Sequence, residues 1–401
     1  MARYIPKLYW PETNSYHMDH LDVESDLLNA LKICFYHHYD KNPIYKDFSI
    51  NVGAYSYYQG SYTIAVLPTI FFIQGLQNQN NCDIEHILSL PNSSIIFRIN
   101  VPVSDCKLGN LRIYPFDADS MNLSLIGVSK SFRYIYNISP EDYFYFLTPG
   151  NKGATEVDKA MKKALSVVIG YEKANSQIIH AVDTSGEKIN VFKVVDDVHQ
   201  LMKKAQKTHI YGSTDYFMRI SEEIIRNGKS LDLPLGTLAL LSDGLDSIIQ
   251  NKIEIKRIKE KIELAFGIPS HNQRMNYGVM EVMQIFPQCE AGFFHVPLGV
   301  VVSIRNRDDY CLLGELSVGE EGQICVINPM IWSFPPFIAT ENTGMIVTPN
   351  KKKCACGKYG PTFSIGEKNG FPSFCCLEQE VYNTSLAFVI EDLEKSLSSS
   401  H

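Results

Sequence analysis

The sequence predicts an α/β fold joined to a second, β-rich part, and three observations lead there. Between Asp142 and Asn276, short apolar runs alternate with helical stretches, the pattern of a layered domain with a mostly parallel sheet. Between Gly292 and Thr348, the apolar runs are short and bounded by Gly and Pro, as in a β-rich subdomain. The chain has 401 residues, 45% hydrophobic and 20% charged, enough to bury a large core.

In chain order, Glu24–Tyr45 reads as an amphipathic helix. Leu27, Leu28, Leu31, Phe35 and His38 share one side, and Asp40-Lys41-Asn42-Pro43 stops it. Ile64–Phe72 is extended and broken by Pro68. Cys82–Pro140 reads as a β-rich unit with strands at Ser94–Val101, Asn110–Tyr114 and Asn122–Ser129, separated by turn residues. Asp142–Leu147 is a strand running into Thr148-Pro149-Gly150-Asn151-Lys152-Gly153, and Lys159–Tyr171 is a helix. Strands follow at Gln177–Ala181, Asn190–Lys193, His209–Tyr211, Leu235–Leu241 and Gln273–Asn276. Helices lie between them at Val194–Lys204, Tyr216–Asn227 and Ser247–Phe266. The expected organisation is 1–140 with an insertion at about 82–140, then 141–290 as the α/β part, 291–370 as the β-rich part, and a short tail at 371–401.

Composition narrows the partners. The net charge is −7 and no basic stripe stands out, so nucleic acid is not the expected partner. Met1–Asn14 lacks the apolar core of a signal peptide, and the most apolar runs are too short to span a bilayer. A soluble, cytoplasmic protein without a membrane partner is expected. In that compartment the 10 Cys read first as metal ligands or reactive thiols rather than disulfides.

Three stretches, in order and spacing, resemble the AMP-forming acyl-activating superfamily. They are Asn276-Tyr277-Gly278-Val279-Met280-Glu281, Gly319-Glu320-Glu321-Gly322-Gln323-Ile324-Cys325-Val326 and Thr340-Glu341-Asn342-Thr343-Gly344. Phe35-Tyr36-His37-His38-Tyr39, Leu67-Pro68-Thr69 and Ser333-Phe334-Pro335-Pro336-Phe337-Ile338-Ala339-Thr340 resemble, within it, the acyl-protein synthetases of the bacterial luminescence type, with phenylacetate–CoA ligases as relatives. The resemblance covers about 27–75 and 143–383. It implies the large N-terminal domain of adenylate-forming enzymes, without the mobile C-terminal domain that carries the family's catalytic Lys.

The resemblance also assigns roles. Thr148, Gly150, Asn151 and Gly153 occupy the phosphate loop, where backbone N–H groups face an anion and Lys152 adds charge. Pro149 removes one of those donors, and a plain strand-to-helix turn reads equally well. Ser242, Asp243 and Gly244 stand where small residues admit the adenine, or form an ordinary Asp-Gly turn. Asn276, Tyr277 and Gly278 would lie along the nucleotide, and Glu281 would hold Mg2+; alternatively Tyr277 and Met280 are core and Glu281 is a surface acid. Met280 replaces a phosphate-binding hydroxyl, and Asn342 replaces the carboxylate that accepts the ribose hydroxyls. Cys375 or Cys376 stands where an acyl-carrying thiolate is placed, or forms a buried pair. Cys289, His295, Cys354 and Cys356 match a structural zinc site of some phenylacetate–CoA-ligase-like proteins, the other reading being free cysteines and a core histidine.

The implied function is ATP-dependent activation of a carboxylic acid to an acyl-adenylate, with transfer to a thiol or amine on an acyl-accepting or carrier protein. The alternative is a repurposed member acting as a partner subunit or acyl-binding scaffold in a homo- or hetero-oligomer. ATP/AMP, Mg2+ and structural Zn2+ are the expected cofactors.

Overall fold

The structure is a computed structural model that describes residues 4–6, 20–51, 67–68, 87–102, 111–147, 156–181, 190–204, 207–242, 252–306 and 315–366. Its elements run α1 (His20–Lys41), α2 (Pro43–Asn51), β1 (Leu67–Pro68), β2 (Ile95–Pro102), β3 (Leu111–Asp117) and α3 (Ala118–Tyr136). Then come β4 (Tyr143–Leu147), α4 (Glu156–Ile169), α5 (Tyr171–Gln177), β5 (Ile178–His180), α6 (Val191–Lys204), β6 (Thr208–Gly212), α7 (Thr214–Arg226) and β7 (Ala239–Leu241). Last are α8 (Lys252–Phe266), β8 (Gln273–Val279), β9 (Gln284–Pro287), β10 (Phe294–His295), β11 (Val301–Arg305), β12 (Gly322–Ile327), β13 (Phe337–Thr348) and β14 (Thr362–Ile365). No helix among the described residues is long and apolar enough to cross a membrane.

The chain packs as two compact units. One comprises the described residues up to Leu123 together with Gly299–Ile346; the other comprises Ser124–Leu298 and the described residues from Val347 onward.

In the first unit, β11, β12 and β13 form antiparallel neighbours and β1 pairs parallel to β13. The β2–β3 hairpin stands apart as a two-stranded sheet. Pro43 breaks the first helix, and Asn42 Oδ1 caps the next by accepting the Tyr45 N–H at 2.8 Å. Two polar side chains of α1 are fully committed to the core. His38 Nε2 donates to the Ile331 carbonyl at 3.1 Å, which leaves Nδ1 to accept from Ser89 Oγ at 2.7 Å. His37 Nε2 donates to the Trp332 carbonyl at 3.0 Å and its ring stacks on that indole at 4.1 Å. The Phe35–Tyr39 stretch thus holds the segment leading into Ser333–Thr340.

In the second unit, the sheet order is β5-β4-β6-β7-β8-β9. All neighbours are parallel except β8–β9. Phe144–Leu147 and Ile210–Tyr211 are buried without interruption, as parallel strands covered on both faces require. Connections from β4 go one way to β5 and the other way through β6 to β7 and β8, so the order reverses beside β4. Gly212 ends β6 beside Leu147, where an added Cβ would stand 2.7 Å from the Leu147 Cβ. The strands therefore approach closely only because this residue lacks a side chain.

Three sequence expectations are corrected. Asn122–Ser129 is not a strand but part of α3. Asp117 Oδ1 caps that helix by accepting the Ser120 N–H at 3.0 Å, and Met121, Leu125, Val128, Phe132 and Ile135 are buried at helical spacing. Asn190–Lys193 is not a strand either: Asn190 Oδ1 accepts the Lys193 N–H at 3.2 Å, and α6 begins at Val191. The strand expected from Leu235 starts only at Ala239; Leu235 is 94% exposed in a turn closed by Thr237 N–H to the Pro234 carbonyl at 3.0 Å.

Candidate functional site

In the second unit, the described residues among and next to the stretches singled out from sequence lie on β4, β7 and β8 of one sheet. β4 ends at Leu147, directly before the Thr148–Gly153 segment. In register, Leu147 pairs with Gly212, Gly212 with Leu241, and Leu241 with Met275. Ser242 therefore comes next after the end of β7, beside Asn276 within β8. Ser242 is half-buried and its N–H donates to the Gly212 carbonyl at 3.0 Å. Asn276 is buried and fixed: its Oδ1 accepts from Tyr136 Oη at 2.8 Å and its Nδ2 reaches the Leu241 carbonyl at 3.5 Å.

Tyr277 and Gly278 continue β8, and Met280–Val282 forms a single 3-10 turn that places Glu281, half-buried, just beyond it. Tyr277 is 5% exposed, and its ring packs on Phe286, Phe294 and Phe363 at 5.7, 6.1 and 6.0 Å. Met280 is buried as well. Thr148, Gly150, Asn151, Lys152, Gly153, Asp243, Gly244, Cys375 and Cys376 lie outside the described residues.

In the first unit, the Gly322–Ile327 and Thr340–Gly344 stretches are paired strands. Gln323 pairs with Thr343 and Cys325 with Ala339, so Ile324 alone faces Thr340, Glu341 and Asn342. This bulge is pinned by Thr340 Oγ1, which donates to the Ile324 carbonyl at 3.0 Å, and by the Gln323 amide, which donates to the Thr340 carbonyl. Bulges of this kind re-aim side chains. Asn342 is half-buried on it.

The clearest constellation lies wholly within the second unit. One potential ligand atom from each of Cys289, His295, Cys354 and Cys356 falls within 4.8 Å of all the others. Cys289 Sγ and Cys354 Sγ are 3.8 Å apart, and Cys356 Sγ is 3.3 Å from His295 Nε2. A tetrahedral zinc with Zn–S bonds of about 2.3 Å has S···S edges of about 3.8 Å, so the donor set and its size both fit.

Two turns of identical construction present the thiols. The Cys289 N–H donates to the Phe293 carbonyl at 2.9 Å and the Gly292 N–H to the Cys289 carbonyl at 3.0 Å. The Cys354 N–H donates to the Lys358 carbonyl at 2.9 Å and the Gly357 N–H to the Cys354 carbonyl at 2.8 Å. Gly292 and Gly357 have φ of +84° and +80°, which only Gly adopts freely. Flanking bridges Gln288–Phe294 and Lys353–Tyr359 close the two turns in the same register. The sequence shows this repeat as Cys-x-x-Gly, twice.

The electrostatics suit a cation. Burial pushes the Cys356 thiol up to about 12, helped by Cys289 and Cys354 beside it. Burial likewise raises Cys289, against the pull of the Phe293 and Ala291 N–H groups. His295 is lowered to about 4, by burial and by the Lys358 charge, so its imidazole is neutral and can ligate. A bound cation would offset the cost of three neighbouring thiolates, of which burial otherwise keeps Cys289 and Cys356 protonated. Arg274 and Lys358 are the basic side chains whose charges act on this group.

No protein-family model and no curated protein sequence matches the chain. Solved structures do. The open conformation of 2-hydroxyisobutyryl-CoA ligase, in complex with 2-HIB-AMP and CoA, matches with a TM-score of 0.63 at 10% identity, over 90% of this chain and 80% of that one. The same ligase in its postadenylation state with R3-HIB-AMP matches with a TM-score of 0.61 at 11% identity, over 89% of this chain and 70% of that one. The fold is therefore the mixed α/β fold of the large N-terminal domain of adenylate-forming enzymes.

Proposed function

We propose that this protein activates a carboxylic acid with ATP and transfers the acyl group to a thiol or amine. One observation carries the reading. Leu147 ends β4, beside the point where the strand order reverses, and Ser242 and the Asn276–Glu281 stretch lie toward the carboxyl ends of β7 and β8 in the same sheet. Open α/β sheets bind their ligands there.

In the reaction, a carboxylate oxygen attacks the α-phosphorus of ATP. The acyl–phosphate bond forms as the bond to pyrophosphate breaks. A thiol or amine then attacks the acyl carbon, AMP leaves with the bonding electrons, and the nucleophile's proton passes to base. Thr148, Gly150, Asn151 and Gly153 would present N–H groups to the phosphates, with Lys152 adding charge. Ser242, Asp243 and Gly244 would border the base and Asn342 would meet the ribose. Glu281 would supply a hard oxygen ligand to Mg2+. Cys375 or Cys376 would carry the acyl group before it reaches an acceptor protein. Within that reading, the resemblance of Phe35–Tyr39 and Ser333–Thr340 to the acyl-protein synthetases is what supports this branch, and the contacts of His37 and His38 join the two stretches as one structural feature.

Pyrophosphate exchange into ATP, with Mg2+ and a panel of carboxylic acids, tests the activity. Acid-dependent exchange is expected. No exchange with any acid, together with no ATP binding by calorimetry, would overturn it.

A second reading, a scaffold without nucleotide chemistry, is favoured by buried Met280, whose thioether cannot take the place of a phosphate-binding hydroxyl. A stable partner captured equally with and without ATP would support it. At Cys289, His295, Cys354 and Cys356 the reading is a structural zinc.

A further inference from the structure

The metal cluster and the Asn276-Tyr277-Gly278 strand are physically joined, and the join runs through Gln288. This residue directly precedes Cys289. Its backbone N–H donates to the Met275 carbonyl at 3.0 Å, as expected in the β8–β9 ladder. The reciprocal bond is different. The Met275 N–H donates at 3.1 Å to the side-chain carbonyl of Gln288, where a regular ladder would use the backbone carbonyl. The other end of the same side-chain amide, Nε2, donates to the Gly292 carbonyl at 2.9 Å. Gly292 is the residue whose N–H closes the Cys289 turn. One planar amide therefore spans from the thiolate turn to the strand.

A second route runs through the rings. His295 and Phe294 form β10, which pairs with β14 as Phe294–Phe363 and His295–Thr362. The two rings lie 5.7 Å apart, and each packs on Tyr277. Met275, in turn, sits beside Leu241 on β7, the residue before Ser242.

We propose that zinc binding at Cys289, His295, Cys354 and Cys356 sets the position of the Met275–Val279 strand, with Gln288 as the positioning residue that transmits it. The proposal rests on the zinc reading above, and through it the metal governs the strand read as bordering the nucleotide. A zinc that only staples the two turns would leave β8 indifferent to its removal. With the Gln288 bridge, loss of the ion frees the Cys289 turn, and the Met275 N–H loses its acceptor.

The test is backbone hydrogen exchange on the full-length protein, as purified with zinc and after chelation, with zinc counted by elemental analysis. Chelation should speed exchange at Met275 and its β8 neighbours by about tenfold, the scale of one lost hydrogen bond. In Gln288→Met, which keeps side-chain length but neither polar atom, zinc content and the absorption spectrum of the cobalt(II)-loaded protein should stay as in the parent. Met275 should nevertheless exchange at the faster rate already, with no further change on chelation. Unchanged β8 exchange on chelating zinc-containing protein overturns the coupling and leaves the zinc reading intact. Absence of zinc from the parent overturns both. Parent-like exchange in Gln288→Met removes Gln288 from the role. If that variant does not fold, parent protein with and without zinc decides the coupling.

Discussion

Cys289 Sγ lies 3.8 Å from Cys354 Sγ across 65 residues of sequence, each thiol carried on a Gly-closed turn of the same construction. Elemental analysis of protein purified without chelator should find about one zinc per chain, as a closed tetrahedral set requires. At free zinc one hundred times the dissociation constant, the metal should stabilise the fold by about 2.7 kcal/mol, read as a rise in the urea midpoint. Cys354→Ser should abolish both the metal and that rise.

Acid stability should depend on Asp142. Leu238 N–H donates to His209 Nδ1 at 3.1 Å, so Nε2 carries the proton and donates to Asp142 Oδ2 at 3.0 Å; the Ser139 N–H donates to the same oxygen at 2.9 Å. Burial raises the Asp142 pKa, but these bonds outweigh it, and the carboxyl lies below its ordinary value. A depressed carboxyl contributes stability above its unfolded pKa of about 3.9, and that contribution is lost as pH falls through the folded value. Asp142→Asn keeps an acceptor in place, and should flatten the loss of stability below about pH 4. Asp142→Ala strands the His209 donor and should cost about 1–3 kcal/mol at neutral pH. Urea titrations at several pH values check both.

Gly212→Ala should cost about 1–3 kcal/mol, because its methyl would overlap the Leu147 side chain and must push β6 from β4. If the site lies at that carboxyl edge, the variant should also lower ATP affinity more than a stability loss of equal size elsewhere. Calorimetry below the unfolding transition separates the two effects.

Asn342→Asp should lower the KM for ATP in the exchange assay by about five- to tenfold, with little change in kcat. A carboxylate accepts both ribose hydroxyls with charge-assisted bonds, where an amide offers one oxygen. An unchanged KM would remove Asn342 from the ribose contact.

The alternating order from Asp142 to Val279 was legible because burial on both sheet faces favours short apolar-rich runs such as Phe144–Leu147. Where reading failed, capping decided. Asn190–Lys193 reads as a strand, yet Asn190 caps α6 and turns Val191–Lys193 into its first turn. Leu123 and Leu125 alternate, yet Asp117 starts a helix buried on most sides, in which even Ser129 finds the Leu125 and Ala164 carbonyls. Such signals are single side chains, weaker than periodicity until the backbone commits.

By itself, the sequence determined the residue types: a Tyr-Gly stretch, a Thr-Glu-Asn run, and three cysteines with one histidine. Those are chemical facts that composition and spacing carry. Only the tertiary structure brought Cys289 and His295 to Cys354 and Cys356, put Ser242 beside Asn276, and ran one Gln288 amide from the metal turn to Met275. The reason is physical. Ligand geometry and ladder register depend on which strands become neighbours, and that is settled by burial over the whole unit rather than by any local run of residues.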